Sequence, residues 1–106
     1  MKPTPGRRSR QSWPGRTLSY KIEVERRAQR ELTRLPKQDQ SRVVTAIEAL
    51  TENPRPPGCL PVRVAPKGTY RIRVGDYRVI YVVLDTDRVI VIARIARRSE
   101  RTYRNL

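Results

Sequence analysis

The stretch 69-TYRIRVGDYRVIYVV-83 decides the fold, because arginines alternate in it with large apolar residues. Side chains of a β-strand point alternately to the two faces of a sheet. Arg71 and Arg73 are therefore predicted to share one face, with the apolar residues around them on the other. The dipeptide Gly75-Asp76 is typical of a hairpin turn and brings Arg78 of the next strand beside them. The stretch predicts a hairpin with a row of guanidinium groups on one face.

The rest of the chain extends this hairpin into a larger fold. Apolar periodicity and turn residues predict six elements, two of which are the strands of the hairpin. These are a strand at Leu18–Val24, helices at Glu25–Leu35 and Lys37–Thr51, and strands at Tyr70–Val74, Tyr77–Leu84 and Arg88–Ile95. A loop with five prolines spans residues 53–68, with a short extended piece near Leu60–Val64. The order predicts an α+β fold: a helical hairpin packed on one face of a twisted, mainly antiparallel four-stranded sheet. The other face is expected to be uncovered, polar and basic.

Length and charge limit the possible partners. The chain has 106 residues, with 24 Lys and Arg against 10 Asp and Glu, a net charge of +14. This length is typical of one domain, which we place at residues 18–106 after a flexible basic tail at residues 1–17. The tail is either a solvated extension or an arm that binds phosphate, with Trp13 as a stacking group. The charge indicates a polyanionic partner. No membrane span or secretory signal is recognisable, so a cytoplasmic location is expected.

The residues available for chemistry are few. The chain has no histidine and one cysteine, Cys59, which is expected to be reduced and inert. No metal and no small-molecule cofactor are implied. Clustered guanidinium groups bind phosphate and stabilise charge in a phosphodiester transition state. RNA supplies its own nucleophile, the 2′-hydroxyl, so such a cluster could serve catalysis, or it could only bind an acidic partner. The tyrosines of the strands, Tyr70, Tyr77 and Tyr81, fit core or edge packing better than base stacking.

Three runs together resemble a known family. They are 34-RLPKQDQSRVVTAIEALTENPRPPG-58, 69-TYRIRVGDYRVIYVVLD-85 and 91-VIARIARRSERTYR-104. The chain resembles the RelE/ParE superfamily of toxins from bacterial toxin–antitoxin systems, on the RelE side. The resemblance implies two helices on a four-stranded sheet and a ribosome-dependent endoribonuclease that cuts mRNA in the A site without a metal. It also implies a cytoplasmic toxin that inhibits translation and is blocked by a cognate acidic antitoxin.

The resemblance also assigns site residues. Arg71 and Arg73 take the places of two basic residues that bind RNA phosphates. Arg78, Arg98 and Tyr103 take the places of catalytic residues. Many relatives carry Gly-His-Arg after the last strand, where this chain has 96-ARR-98. Arg97 therefore replaces the histidine and joins the phosphate-binding group, or it is itself the aligned arginine.

This chemistry also needs a general base that accepts the proton of the 2′-hydroxyl. An arginine is a poor general base because it stays protonated in proteins. Tyr103 is the candidate base, if the neighbouring guanidinium groups lower its pKa from the usual value near 10.

Two alternatives remain open at this point. The first is a ParE-like protein that inhibits DNA gyrase by binding and cuts nothing. The second is an inactive toxin remnant that binds only its antitoxin. Both would have the same fold, so the fold does not decide between them.

Overall fold

The described part of the chain forms one sheet with a pair of helices. A computed structural model describes residues 20–97 and the backbone of residues 10–13. In chain order the elements are β1 (Arg10–Trp13), β2 (Lys21–Glu25), α1 (Arg26–Thr33), α2 (Lys37–Ala49), β3 (Leu60–Pro61), β4 (Thr69–Val74), β5 (Tyr77–Leu84) and β6 (Val89–Arg97). The strands lie side by side in the order β1-β2-β6-β5-β4-β3. The predicted α+β class with a helical hairpin is confirmed.

The sheet is mainly antiparallel, as predicted. Only the pairing of β2 with β6 is parallel, and the other four pairings between these strands are antiparallel. The sheet has two more strands than the four predicted: β1 was missed, and β3 lies in the short extended piece predicted near Leu60–Val64 but was not counted in the sheet. β3 is a two-residue strand in the proline-rich loop, and Pro61 has no N–H with which to extend its pairing.

β1 lies inside the segment that was predicted to be a tail. Its four residues pair with β2, from Arg10 opposite Glu25 to Trp13 opposite Ile22. The sequence RQSW lacks the apolar alternation by which a strand is recognised. The unpaired backbone groups along the edge of β2 are nevertheless a template for another strand. The division of the chain at residue 17 stays a prediction.

The core lies between the two helices and one face of the sheet. Ala28 of α1 and Val43 and Ile47 of α2 are completely buried there. Their partners on the sheet are Ile22, Val24, Val79, Tyr81, Val83, Ile90, Ile92 and Ile95. The turn between the helices is held by Gln40, whose side-chain amide donates to the carbonyl of Leu35 at 3.0 Å. Among the described residues, no helix is long and apolar enough to cross a membrane.

The β4–β5 hairpin is closed by the predicted two-residue turn. Val74 pairs with Tyr77, so Gly75 and Asp76 form the loop. Gly75 has φ of 60°, a left-handed conformation that glycine adopts without strain. This turn sets the register in which Arg73 lies directly opposite Arg78.

Candidate functional site

Three arginines come together on the sheet face that points away from the helices. Arg73 of β4 lies directly opposite Arg78 of β5, and Arg71 lies two residues before Arg73. Directly opposite residues have Cβ atoms about 5 Å apart, and residues two apart on a strand lie about 6.7 Å apart. We call Arg71, Arg73 and Arg78 the arginine face. Arg73 is exposed, and Arg71 and Arg78 are half-buried. The structure therefore brings together the three arginines that the sequence placed side by side.

This side of the sheet is less polar than expected. Ile80, Val91 and Ala96 alternate with residues of the core and so lie on the same side as the arginines, yet all three are buried. Ala96 is directly opposite Arg78, and Ile80 is directly opposite Arg71. The face carries the basic side chains that were expected, and it also carries buried apolar residues that were not. The arginine side chains are thus surrounded at their base by buried apolar residues, which we call the apolar floor. This floor lowers the local dielectric constant and strengthens the interaction of the guanidinium groups with an anion.

Arg97 does not join the arginine face. It lies opposite Tyr77, the neighbour of Arg78, and opposite residues of a strand pair share a face. Its guanidinium carbon lies 5.9 Å from the centre of the Tyr77 ring. The Tyr77 hydroxyl donates to Asp39 Oδ2 of α2 at 3.3 Å. Arg97 thus lies on the helix side of the sheet, whereas the expected phosphate-binding cluster lies on the other side. Arg98 and Tyr103, the other two predicted site residues, lie outside the described residues.

A β-bulge in β6 explains where Arg97 lies. Ile80 pairs with Arg94, but the next residue, Tyr81, pairs with Ile92, so Ala93 is an extra residue. After Ile92, β6 no longer pairs with β2. There, two residues after Ala93, the N–H of Ile95 donates to Glu31 Oε1 of α1 at 2.7 Å.

The same carboxylate binds the residue that directly follows Ala93. Arg94 Nε donates to Glu31 Oε2 at 2.8 Å, and the Arg94 side chain is only 7% exposed. Neither Glu31 nor Arg94 was singled out from the sequence. Ile92 and Ile95 are three residues apart and both lie in the core, whereas a regular strand would place them on opposite faces. The sequence of β6 gives no sign of this change, because the strand is apolar on both faces.

The described tyrosines are packing residues, as predicted for those on the strands. Tyr81 is fully buried, and its hydroxyl donates to the carbonyl of Pro54 at 2.8 Å. Its ring stacks on Tyr70 with a centroid distance of 6.1 Å. Burial raises the pKa of the Tyr81 phenol. Tyr20, Tyr70 and Tyr77 also lie on the helix side. Within residues 20–97, no tyrosine is placed to act as a base on the arginine face.

A polar network lies at the end of the sheet that carries the β5–β6 turn, opposite to the β4–β5 turn. Arg55 of the proline-rich loop contacts Asp85 with an Nη2–Oδ2 distance of 2.7 Å, and its Nε donates to the Tyr70 hydroxyl at 3.1 Å. The Tyr20 hydroxyl donates to Asp85 Oδ1 at 2.7 Å. The hydrogen bonds from Arg55 and Tyr20 lower the pKa of Asp85, and the bond to Asp85 raises the pKa of Tyr20. This network fixes the loop against the β5–β6 turn.

The arrangement defines a class of protein: a small basic α+β domain with guanidinium groups clustered on one sheet face. Three arginines held by two paired strands match the oxygens of phosphate or carboxylate groups. Guanidinium groups stay charged at any physiological pH, so they bind anions and stabilise developing negative charge.

Comparisons with known proteins identify the family. The family described as "ParE toxin of type II toxin-antitoxin system, parDE" matches residues 22–102. The candidate toxin RelE1 of Methanocaldococcus jannaschii is 36% identical over 91 residues, which cover 83% of this chain and 99% of the relative. The chain therefore belongs to the RelE/ParE superfamily of toxins of type II toxin–antitoxin systems, and it is RelE-like.

Solved structures agree with this assignment. The RelE–RelB complex of Pyrococcus horikoshii contains a chain with 29% identity and a TM-score of 0.66, and the match covers 77% of this chain and 98% of that one. The toxin–antitoxin complex RelBE2 of Mycobacterium tuberculosis contains a chain with 28% identity and a TM-score of 0.64, with coverages of 76% and 99%. The isolated RelE toxin of E. coli, at 19% identity and a TM-score of 0.65, shares the fold, with coverages of 82% and 93%.

Proposed function

We propose that this toxin is an endoribonuclease that cuts mRNA in the ribosomal A site and thereby inhibits translation. The 2′-hydroxyl of the RNA attacks the adjacent phosphate, and no metal takes part in the step. The products carry a 2′,3′-cyclic phosphate or a 3′-phosphate on one side and a 5′-hydroxyl on the other. The observation that carries the proposal is the register of the hairpin, in which Arg73 and Arg78 are directly opposite and Arg71 is beside them.

Each residue has a role in the proposed reaction. Arg71 and Arg73 bind phosphates of the RNA backbone. Arg78 starts from the apolar floor of the sheet and stabilises the charge that builds on the scissile phosphate. Arg98 binds the scissile or leaving phosphate, and Tyr103 accepts the proton of the 2′-hydroxyl or orients it.

The pairing of two arginines supports a binding role for this face. Like charges directly opposite each other on paired strands destabilise a sheet. Arg73 and Arg78 occupy such a pair, although many other residue types would fit better. A polyanion bound across the pair would offset this repulsion.

The partner that controls the toxin is proposed to be an acidic antitoxin. The similar structures include complexes of RelE-type toxins with their RelB antitoxins. This chain has a net charge of +14, which complements an acidic partner. The antitoxin covers the arginine face and so competes with RNA.

Removal of the 2′-hydroxyl at the cut site tests the proposed reaction most directly. A ribosome-bound mRNA is prepared with a single 2′-deoxynucleotide at the mapped cut site, beside the all-ribose mRNA. Cleavage should disappear at the deoxy position, because the nucleophile is missing there. Cutting that persists at the deoxy position contradicts the mechanism.

A second candidate function is inhibition of DNA gyrase. The matching family description names ParE, which favours this alternative. A supercoiling assay with purified gyrase and no ribosomes separates the two functions. Inhibition of gyrase together with intact mRNA would replace the nuclease proposal. If neither gyrase nor mRNA is affected, the chain is an inactive remnant that binds its antitoxin.

A further inference from the structure

The β6 bulge determines which residues after it point to which side of the sheet. Before the bulge, Ile92 lies in the core. After it, Ile95 lies in the core again, so Ala96 pairs with Arg78 on the arginine side and Arg97 pairs with Tyr77 on the helix side. A strand without the bulge would reverse each of these three positions, because a shift of one residue exchanges the two faces.

The reversed arrangement has a specific consequence for the candidate site. Arg97 would move to the arginine face, opposite Asp76 of the turn and diagonal to Arg78. Ile95 would leave the core and lie opposite Arg78, and the charged Arg94 would take its place opposite Val79. The bulge therefore determines on which side of the sheet the guanidinium group of Arg97 lies.

Glu31 is the side chain that binds β6 directly after the bulge. One carboxylate oxygen accepts the Ile95 N–H at 2.7 Å, and the other accepts Arg94 Nε at 2.8 Å. Both contacts are charge-assisted, and such hydrogen bonds are about twice as strong as neutral ones. Glu31 belongs to α1, so the carboxylate also fixes β6 against this helix. Arg27 Nε lies 3.8 Å from Glu31 Oε2, but the Arg27 side chain is about half exposed, so this ion pair adds little.

We propose that Glu31 is a positioning residue of this toxin: it holds the bulge of β6 and so keeps Arg97 away from the arginine face. The chain after the bulge leads to Arg98 and Tyr103, which the proposed function uses, and this role of Glu31 rests on that function. Glu31 touches neither substrate nor reacting atoms. It acts through the faces on which β6 presents its residues.

The first arm of the test does not depend on activity. NMR spectra of the full chain are compared for the natural protein and the variants Glu31→Gln, Glu31→Ala and Glu48→Ala. Glu48 is an exposed glutamate of α2 and serves as the matched control. We expect nuclear Overhauser contacts between the Arg97 side chain and the Tyr77 ring in the natural protein and in the control. In Glu31→Ala these contacts should be lost, and the Ile95 amide should exchange faster with solvent.

The glutamine variant keeps the test decisive if Glu31→Ala does not fold. The side-chain amide introduced by Glu31→Gln would retain an acceptor oxygen for Ile95 but not the charge that binds Arg94, so an intermediate exchange rate of the Ile95 amide is expected. Natural-like exchange and unchanged Arg97–Tyr77 contacts in Glu31→Gln, together with the same result in any folded Glu31→Ala, would overturn the proposal.

The second arm measures cleavage of ribosome-bound mRNA. A misplacement of about 1 Å in a catalytic group lowers the rate by about 100-fold. We therefore expect kcat to fall by that order in Glu31→Ala while KM stays within a few-fold, because the arginine face lies on β4 and β5. Glu31→Gln should restore part of kcat.

The two arms distinguish the possible failures. A natural kcat in a Glu31 variant whose Arg97–Tyr77 contacts are lost would overturn the positioning role. If the natural protein does not cut mRNA at all, the proposed function fails, and the spectra still show whether Glu31 holds the bulge.

Discussion

Removal of the Glu31 carboxylate should destabilise the fold more than most single substitutions. The variant Glu31→Ala takes the carboxylate away from the Arg94 side chain, which is 7% exposed, and the acceptor away from the Ile95 N–H. Breaking a buried ion pair by removing one partner costs about 3–5 kcal/mol. The lower end applies because Glu31 is 19% exposed and water can replace part of its contact. We expect the free energy of unfolding to fall by about 3 kcal/mol, a large fraction of the roughly 5–15 kcal/mol of a typical domain.

Substitution of Arg94, the partner of Glu31 in the ion pair, gives a more specific prediction. Arg94→Met removes the buried charge and leaves Glu31 able to accept the Ile95 N–H, so it should cost less than Glu31→Ala. In the double variant only the unsatisfied N–H remains, worth about 1–3 kcal/mol. Adding Arg94→Met to Glu31→Ala should therefore stabilise the protein.

Urea unfolding followed by circular dichroism measures all four proteins, with Glu48→Ala as the control. The slope of free energy against urea should stay the same, so that the midpoint reports stability. A Glu31→Ala variant within about 0.5 kcal/mol of the natural protein, the range of ordinary surface substitutions, would refute the reasoning. A double variant less stable than Glu31→Ala would also refute it.

Three further outcomes are expected. Binding of a short single-stranded RNA should weaken with salt, and Arg71→Ala should lower the slope of log K against log salt by about 0.7, whereas Arg63→Ala, an exposed arginine of the proline-rich loop, should change it less. Arg55 and Tyr20 lower the pKa of Asp85, so the ionised Asp85 carboxylate stabilises the fold fully above about pH 4, and this stabilisation is lost as the pH falls through the folded-state pKa. In urea unfolding, the variant Asp85→Asn should therefore be less stable than the natural protein at pH 7 and equal to it at low pH. Gly75→Ala should cost about 1–2 kcal/mol in urea unfolding, since φ is 60° there, and a cost near zero would contradict the hairpin geometry.

The arginine face was predictable because local rules determine it. Strand alternation places Arg71 and Arg73 on one side, and a two-residue turn at Gly75 leaves one register for Arg78. The helical hairpin was predictable for the same kind of reason, since Pro36 separates two runs with apolar spacing. In both cases the information lies within a few residues of the element.

The side on which Arg97 lies was not predictable from its neighbours. β6 is apolar on both faces, so its sequence does not show where the alternation changes. The change depends on Glu31, which is more than sixty residues away in the chain. β1 was missed for a related reason. Its pairing follows from the free edge of β2 and not from any apolar pattern of its own.

The most direct test of the central claim is primer extension on a ribosome-bound mRNA exposed to the purified protein. The natural protein should produce discrete cuts at the A-site codon. Arg78→Ala and Tyr103→Phe should reduce these cuts by tenfold or more, as expected for loss of a transition-state contact or of proton transfer, which contributes about 10²–10⁴-fold. Arg63→Ala, which removes an equal charge away from the arginine face, should cut normally. Full-length mRNA with the natural protein, or equal cutting by Arg78→Ala, would contradict the account.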